Sequence, residues 1–310
     1  MTTRDRLLAC FVAVLWGVNF LAIHTSLEHW PPLLLAAVRF LVIAVPAVLL
    51  VPRPAVPLRW LLAYGAGFGT LQFLFLYIAM RVGMPTGLAS LVLQASAPFT
   101  VLLGAVLLRE RLAPRQAVGI GLAVLGLGAI AVARAQTAAL LPVVLTLLGA
   151  LGWAIGNLAN RLALRDARGP VNPMHLVLWM SVVPPLPMLA ASWFVEGPAA
   201  WATAFAAAVT PAGVPGLLGL AYTVLLGTLV GSGIWTVLMR RHPAGVVAPY
   251  SLLVPVVGMA TAAVALGERP SAVELVSAAV IVGGVLLGTP RARPARPGPA
   301  EAVAVVAARP

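Results

Sequence analysis

The sequence predicts an all-α membrane protein: ten transmembrane helices built as two five-helix repeats of opposite orientation, with both termini in the cytoplasm. Three observations predict it: an apolar composition, ten long stretches nearly free of charge, and one passage that occurs twice. Hydrophobic residues make up 61% of the 310-residue chain, charged residues only 9%, and the mean hydropathy is +1.02. Soluble domains carry about 25% charged residues.

A helix needs roughly 20 apolar residues to cross the hydrocarbon core. Stretches with at most one charge lie at 7–23, 33–51, 60–80, 86–108, 115–133, 139–160, 174–195, 214–238, 245–266 and 271–289. A β-barrel would read instead as segments of about 10 residues alternating apolar and polar. The first stretch follows Arg4 and Arg6, as in a signal peptide. It runs on through Trp16, Gly17 and Asn19 to His24 without a small-residue cleavage site, which makes it a retained helix. From Pro290 a Pro-, Ala- and Arg-rich tail is expected to be disordered.

All 20 basic residues are arginine against eight acids, a formal net charge of +12. With the amino terminus inside, sixteen of them fall on the cytoplasmic side, only Arg81, Arg134 and Arg269 fall outside, and Arg39 lies within a helix. Cytoplasmic loops carry such an excess. The bias predicts the orientation and accounts for most of the charge, so the expected partner is a lipid bilayer and no nucleic acid is required.

The repeated passage is LRERLAPRQAVGIGLAVLGLGA at 108–129 and LGERPSAVELVSAAVIVGGVLL at 266–287. The two agree at Leu108/Leu266, Glu110/Glu268, Arg111/Arg269, Val118/Val276, Val124/Val282 and Gly126/Gly284, a shift of 158 positions. The first copy joins the fourth and fifth stretches, the second the ninth and tenth. Five crossings separate them, and an odd number turns the second copy over. Inverted repeats of this kind commonly build transporters, because two such halves can exchange inward-open and outward-open states around one midplane site. The expected division is 1–135, 136–289 and a tail at 290–310. Upstream the halves agree less well: LWGVNF (15–20) and GWAIGN (152–157) each place an Asn shortly after a Trp, and GLASLVLQASAP (87–98) faces GVVAPYSLLVPV (245–256).

Taken in chain order, the polar side chains inside these helices are candidates for substrate binding. Trp16 and Asn19 in the first helix are three apart and share a face; they line a cavity or glue helices together. Arg39 in the second must face protein or water, since a central arginine costs at least about 2.5–3.5 kcal/mol. It receives a substrate carboxylate, pairs with carbonyls, or snorkels to the near interface. In the fourth helix Gly87, Ser90, Gln94, Pro98, Val101 and Gly104 recur every three or four residues, a spacing at which small residues let helices approach closely. Pro98 frees the carbonyl of Gln94. A broken helix with an amide at its break points to a binding site. Trp153 and Asn157 share a face of the sixth helix. The ninth repeats the theme with Pro249, Pro255 and Gly258 and adds Tyr250 and Ser251. Gln72, His175, Trp179, Tyr222 and Trp235 are further candidates for which packing is the preferred reading. The tenth helix opens on Ser271-x-x-Glu274, a capping box.

WGVNFLAIHTSL, PPLLLAAVRF, GMPTGLASLVLQASAPFTVLLGAVLLRERL, GWAIGNLANR and APYSLLVPVVGMATAAVALGER resemble the EamA family of the drug/metabolite transporter superfamily, over about residues 7 to 289. Within it, GMPTGLASLVLQA and SLLVPVVG are similar to exporters of O-acetylserine and cysteine. The resemblance implies a ten-helix bundle in the inner (plasma) membrane that moves small amino-acid metabolites outward.

Other classes find less support. Cys10 is the sole cysteine and His24, His29, His175 and His242 lack ligand spacing, so neither a metal nor a cofactor is expected. LVGSGIW around Ser232 has Val230 where a Gly-x-Ser-Gly protease motif needs glycine, and no enzyme is expected. No carboxylate lies near the midplane, so facilitated export fits unless His24 or His175 carries a proton. The expectation is alternating-access export of small zwitterions, with Arg39 on the carboxylate, Asn and Gln side chains on the remaining polar groups, and Trp rings on the apolar side. The alternatives are export of a drug or other metabolite, or a non-transporting sensor or assembly subunit. A sensor normally carries a soluble domain, whereas the longest outside loop is 196–213. Whether the chain forms a homodimer is left open.

Overall fold

In lipid the backbone must satisfy its own hydrogen bonds, and the chain does so with helices. The computed structural model describes residues 1–109, 111–135, 140–242 and 244–288. Among these, nine helices are long and apolar enough to cross a membrane: α1 (Thr3–Leu27), α2 (Pro32–Leu50), α3 (Leu58–Arg81), α4 (Thr86–Leu107), α5 (Pro114–Ala133), α6 (Leu140–Arg165), α7 (Pro173–Val195), α8 (Pro211–Arg241) and α9 (Ala248–Leu266). A shorter apolar helix, α10 (Ala272–Gly288), follows. The described residues contain no strand. Glu110 of the repeated passage and the tail from Pro290 lie outside them. Helix ends overrun the apolar windows where caps allow: α1 reaches back to Thr3 because the Thr2 hydroxyl accepts the Asp5 amide at 3.1 Å. The Ser271–Glu274 capping box is present, with the Ser271 amide donating to Glu274 at 2.8 Å and the Glu274 amide to Ser271 Oγ at 3.3 Å.

Polar contacts at the helix ends sort into two sets, one for each face of the bundle. On the face where α1 starts, the Asp5 carboxylate meets His242 at 2.8 Å and Arg241 at 3.6 Å, beyond and at the end of α8. There too Asp166 accepts from Trp60 Nε1 at 2.8 Å and Arg59 at 3.2 Å. Hydrogen bonds from Arg165 first and Trp60 second hold the Asp166 carboxyl down at about 2. On the opposite face Glu196 accepts the Leu33 and Leu34 amides at 2.7 and 3.0 Å, and Glu268 accepts the Thr86 and Gly87 amides at 2.6 and 2.9 Å. A carboxylate at the amino end of a helix satisfies orphan donors and the positive end of its dipole. Each contact joins ends that an up-and-down path puts on one face.

The repeat extends further upstream than the passage around Glu110 and Glu268 indicates. α3 is π-helical over Gly65–Leu71 and α8 over Tyr222–Val230, and the 158-residue shift carries 65–71 onto 223–229. The sequences LAYGAGFGTL (62–71) and LAYTVLLGTL (220–229) agree under that shift at Leu62/Leu220, Ala63/Ala221, Tyr64/Tyr222, Gly69/Gly227, Thr70/Thr228 and Leu71/Leu229. The expectation of weak upstream agreement is corrected here. α4 and α9 are interrupted at related places by 3-10 turns, Leu93–Ala95 and Ala248–Leu252.

The α4–α9 seam positions the site. On the face bearing Glu268 the first part of α4 packs on the last part of α9, so closely that a Cβ at Gly258 would stand 2.6 Å from Ser90 Oγ. Past its break α4 turns to α6 instead, where Asn157 Nδ2 donates to Thr100 Oγ1 at 3.2 Å. α3 and α6 approach backbone to backbone, and a Cβ at Gly67 would stand 2.6 Å from the Gly156 nitrogen. Neither backbone can give way, so Gly67→Ala is expected to lose about 1–3 kcal/mol by overpacking. Gly121→Ala, whose Cβ would meet nothing within 4 Å, is expected to be neutral or to gain up to about 1 kcal/mol of helix propensity. Thermal midpoints of the detergent-purified variants check this, and equal midpoints would contradict the packing.

Candidate functional site

Arg39 lies about two turns into α2, and it is only 5% exposed. Nη1 donates to the Tyr77 hydroxyl of α3 at 3.0 Å and Nη2 to Thr228 Oγ1 of α8 at 3.1 Å. Its Cζ stands 4.0 Å from the centre of the Phe73 ring and 5.2 Å from that of Phe40. The guanidinium points into the bundle, so neither snorkelling nor carbonyl pairing describes it. Among the described residues no carboxylate lies within ion-pair distance, and Nε, though buried, has no partner. Arginine carries five N–H donors; these contacts use two. The site therefore holds a buried, partly satisfied positive charge without a counter-ion.

Helical periodicity builds the walls of this site. Phe73 and Tyr77 are one turn apart on α3, with ring centroids 5.6 Å apart, and Phe40 meets Phe73 edge-on at 5.3 Å. Thr228 sits in the π-helical segment of α8, where its hydroxyl donates to the Thr223 carbonyl at 2.9 Å. That leaves its lone pairs to Arg39.

α1 closes on the same α8 segment. Trp16 Nε1 donates to the Gly227 carbonyl at 2.9 Å, the Trp16 ring packs on Trp235 at 5.1 Å, and the Tyr222 hydroxyl donates to the Leu15 carbonyl at 3.2 Å. Asn19 lies against Gly227, where a Cβ would stand 2.7 Å from Asn19 Oδ1. That oxygen is buried and unpartnered, as are Gln72 Oε1 and Thr223 Oγ1. Arg39 Nε, Asn19 Oδ1 and Thr223 Oγ1 thus surround or belong to residues 222–230. Buried polar atoms left unpaired are unfavourable by about 1–3 kcal/mol each. A ligand with an anionic acceptor group and an ammonium donor would satisfy both kinds of atom.

The remaining candidates divide. Gln94 is buried at the α4 break and its Nε2 reaches the Ser251 carbonyl at the α9 break, at 3.4 Å; the Ser251 hydroxyl is turned to Ala248. Asn157 ties α6 to α4, and Trp153 packs edge-on against Phe68 at 6.0 Å. Tyr250 packs on a small separate cluster of Ala9, Leu238 and Val247. Trp179 pins the end of α2 by donating to the Val51 carbonyl at 3.0 Å, a structural role apart from Arg39. A cleft of about 120 Å³ between Leu88, Met259 and Glu268 lies at the mouth of the seam, and Arg39 is not part of its lining. Phe73, Tyr77, Gly227 and Thr228 are absent from the sequence-derived set, although the shared LAY and GTL triplets of α3 and α8 mark two of the four.

A bundle of spanning helices, repeated in sequence, with interrupted helices around a buried unneutralised arginine, is the construction of a membrane transporter for small molecules. The chain belongs to the EamA-like transporter family, whose model matches residues 6–132 and again 140–289. It is similar to proteins described as a "Probable amino-acid metabolite efflux pump" in Salmonella typhimurium, at 43% identity, and in Escherichia coli, at 42%. Each alignment covers 93% of this chain and 95% of the relative. A solved structure described only as "Crystal structure of protein" superposes with a TM-score of 0.61 at 21% identity over 93% of this chain and 98% of its own, which supports the fold. The chain is a multi-pass inner-membrane protein.

If Tyr77 serves as an acceptor for Arg39, Tyr77→Phe should lower the thermal midpoint by the equivalent of about 1–3 kcal/mol. In an Arg39→Met background the same change should do nothing. A double-mutant cycle checks this; additive effects would show that the contact carries no energy.

Proposed function

We propose that this transporter exports small zwitterionic amino-acid metabolites of the O-acetylserine and cysteine type by alternating access, and that Arg39 receives the substrate carboxylate. The observation that carries the reading is the buried guanidinium with Nε unpartnered and no carboxylate beside it. A carboxylate accepts two parallel bonds from such a fork, and the names of the relatives agree with that chemistry. Asn19 Oδ1 and Gln72 Oε1 are acceptors suited to the ammonium group, and Trp16 and Trp235 bound the apolar part. The arginine bias supports cytoplasmic termini and two five-helix units at 1–135 and 136–289. With that orientation, the packing of α4 on α9 beside Glu268 closes the outer side.

Vesicles reconstituted with the protein and loaded with O-acetylserine test the proposal. The parent is expected to release it, Arg39→Lys to slow release because the ammonium lacks the fork, and Arg39→Gln to fall to the level of empty vesicles. The unliganded midpoint of Arg39→Gln should hold or rise, since an uncompensated buried charge has been removed. Release by Arg39→Gln at the parent's rate would refute the role of Arg39. Retention of O-acetylserine by the parent alongside release of a carboxylate-free drug would refute the substrate class.

A further inference from the structure

We propose that Thr228 is a positioning residue that ties the state of Arg39 to the shape of α8; the inference rests on Arg39 as carboxylate receptor. In the two π-helical segments a threonine hydroxyl donates to the carbonyl five residues back, Thr70 to Gly65 at 3.3 Å and Thr228 to Thr223 at 2.9 Å. The shift of 158 superposes both donors and both acceptors. π-helical turns within α-helices are frequent at functional sites. The two segments differ in one respect. Thr228 also accepts from Arg39 Nη2 at 3.1 Å, whereas among the described residues no side chain donates to Thr70.

A hydroxyl has one proton and two lone pairs. Thr228 therefore completes a chain from the guanidinium through its own O–H to the Thr223 carbonyl. Donation from a cation polarises that hydroxyl and strengthens the bond it makes in turn. A carboxylate arriving on Arg39 competes for its donors and neutralises its charge. The Thr228–Thr223 bond then weakens, and the π-helical segment of α8 is released when the site is filled.

Close contacts carry the release to the seam. Gly227, next to Thr228, holds Trp16 through its carbonyl and abuts Asn19. Beside Trp16, a Cβ at Gly17 would stand 2.5 Å from Val257 Cβ, and the following residue, Gly258, meets Ser90 of α4. Packing this dense transmits displacement. The path runs from α8 through α1 and α9 to α4. It starts only from the half that contains an arginine-loaded threonine: the first half supplies Arg39, and the second responds.

The test uses the full chain in a Cys10→Ala background with Ser90→Cys as reporter, reconstituted in vesicles with a membrane-permeant maleimide and O-acetylserine as ligand. Ligand is expected to change the labelling rate at position 90. Thr228→Val should remove that response and lower kcat for efflux about tenfold or more, with KM shifted less than about threefold, while thermal stabilisation by O-acetylserine persists. Thr228→Ser should restore both, and Thr70→Val should leave the response in place. If Thr228→Val does not yield folded protein, Thr228→Ala replaces it. A response retained in the hydroxyl-free variant, or lost equally in Thr70→Val, overturns the proposal. Absence of thermal stabilisation in the parent, or its persistence in Arg39→Gln, would instead overturn the underlying role of Arg39.

Discussion

A guanidinium held between α2, α3 and α8 by two hydroxyls and an aromatic face, with no carboxylate beside it, sets the terms on which the bundle around it is arranged. Inserting an arginine costs at least about 2.5–3.5 kcal/mol. Two hydrogen bonds from a charged group return about 1.5–3 kcal/mol each, and a desolvated cation–π contact about 2 kcal/mol. The protein can therefore hold Arg39 without a ligand. It still leaves the charge without a counter-ion and Nε without an acceptor, which is the condition in which a substrate carboxylate has most to contribute.

The repeat supplies a symmetric frame, and the charge breaks its symmetry. α3 and α8 share their π-helical segments and their threonines, yet the neighbour of the α3 segment on α7 is Met180, whose carbonyl and Sδ would lie 2.9 and 3.2 Å from Cβ atoms at Gly65 and Gly69. Met180 is apolar where Arg39 is charged. A two-fold scaffold with one arginine offers a zwitterion a single orientation, and it lets one half report occupancy to the other. The carboxylates at the periphery do different work. Glu196 and Glu268 cap α2 and α4 on one face, Asp5 and Asp166 join helix ends on the other, and these contacts lie at the faces rather than at the Arg39 site.

Much of the fold was legible because lipid enforces it: apolar stretches of spanning length became the helices, and Pro98 and Pro249 lie in or next to the breaks of α4 and α9. The charge on Arg39 was also legible, since no bland role suits a mid-helix arginine. Its partners were not. Tyr77 and Phe73 read as ordinary apolar-helix residues, and Thr228 matters through a π-helical turn that hydropathy does not register. Repeat comparison carried through α3 and α8 would have drawn attention to Thr70 and Thr228. Trp179 shows the opposite case, a large aromatic whose indole N–H only ties two helix ends together.

The account turns on Arg39 being neutralised by a carboxylate. Calorimetric titration of the purified protein with O-acetylserine and, separately, with its carboxamide measures that directly, because the two ligands share shape and amine and differ in the anionic group. The account predicts binding of the acid and at least about tenfold weaker binding of the amide, a difference of about 1.4 kcal/mol, with the difference erased in Arg39→Gln. Equal affinity for acid and amide in the parent would contradict it.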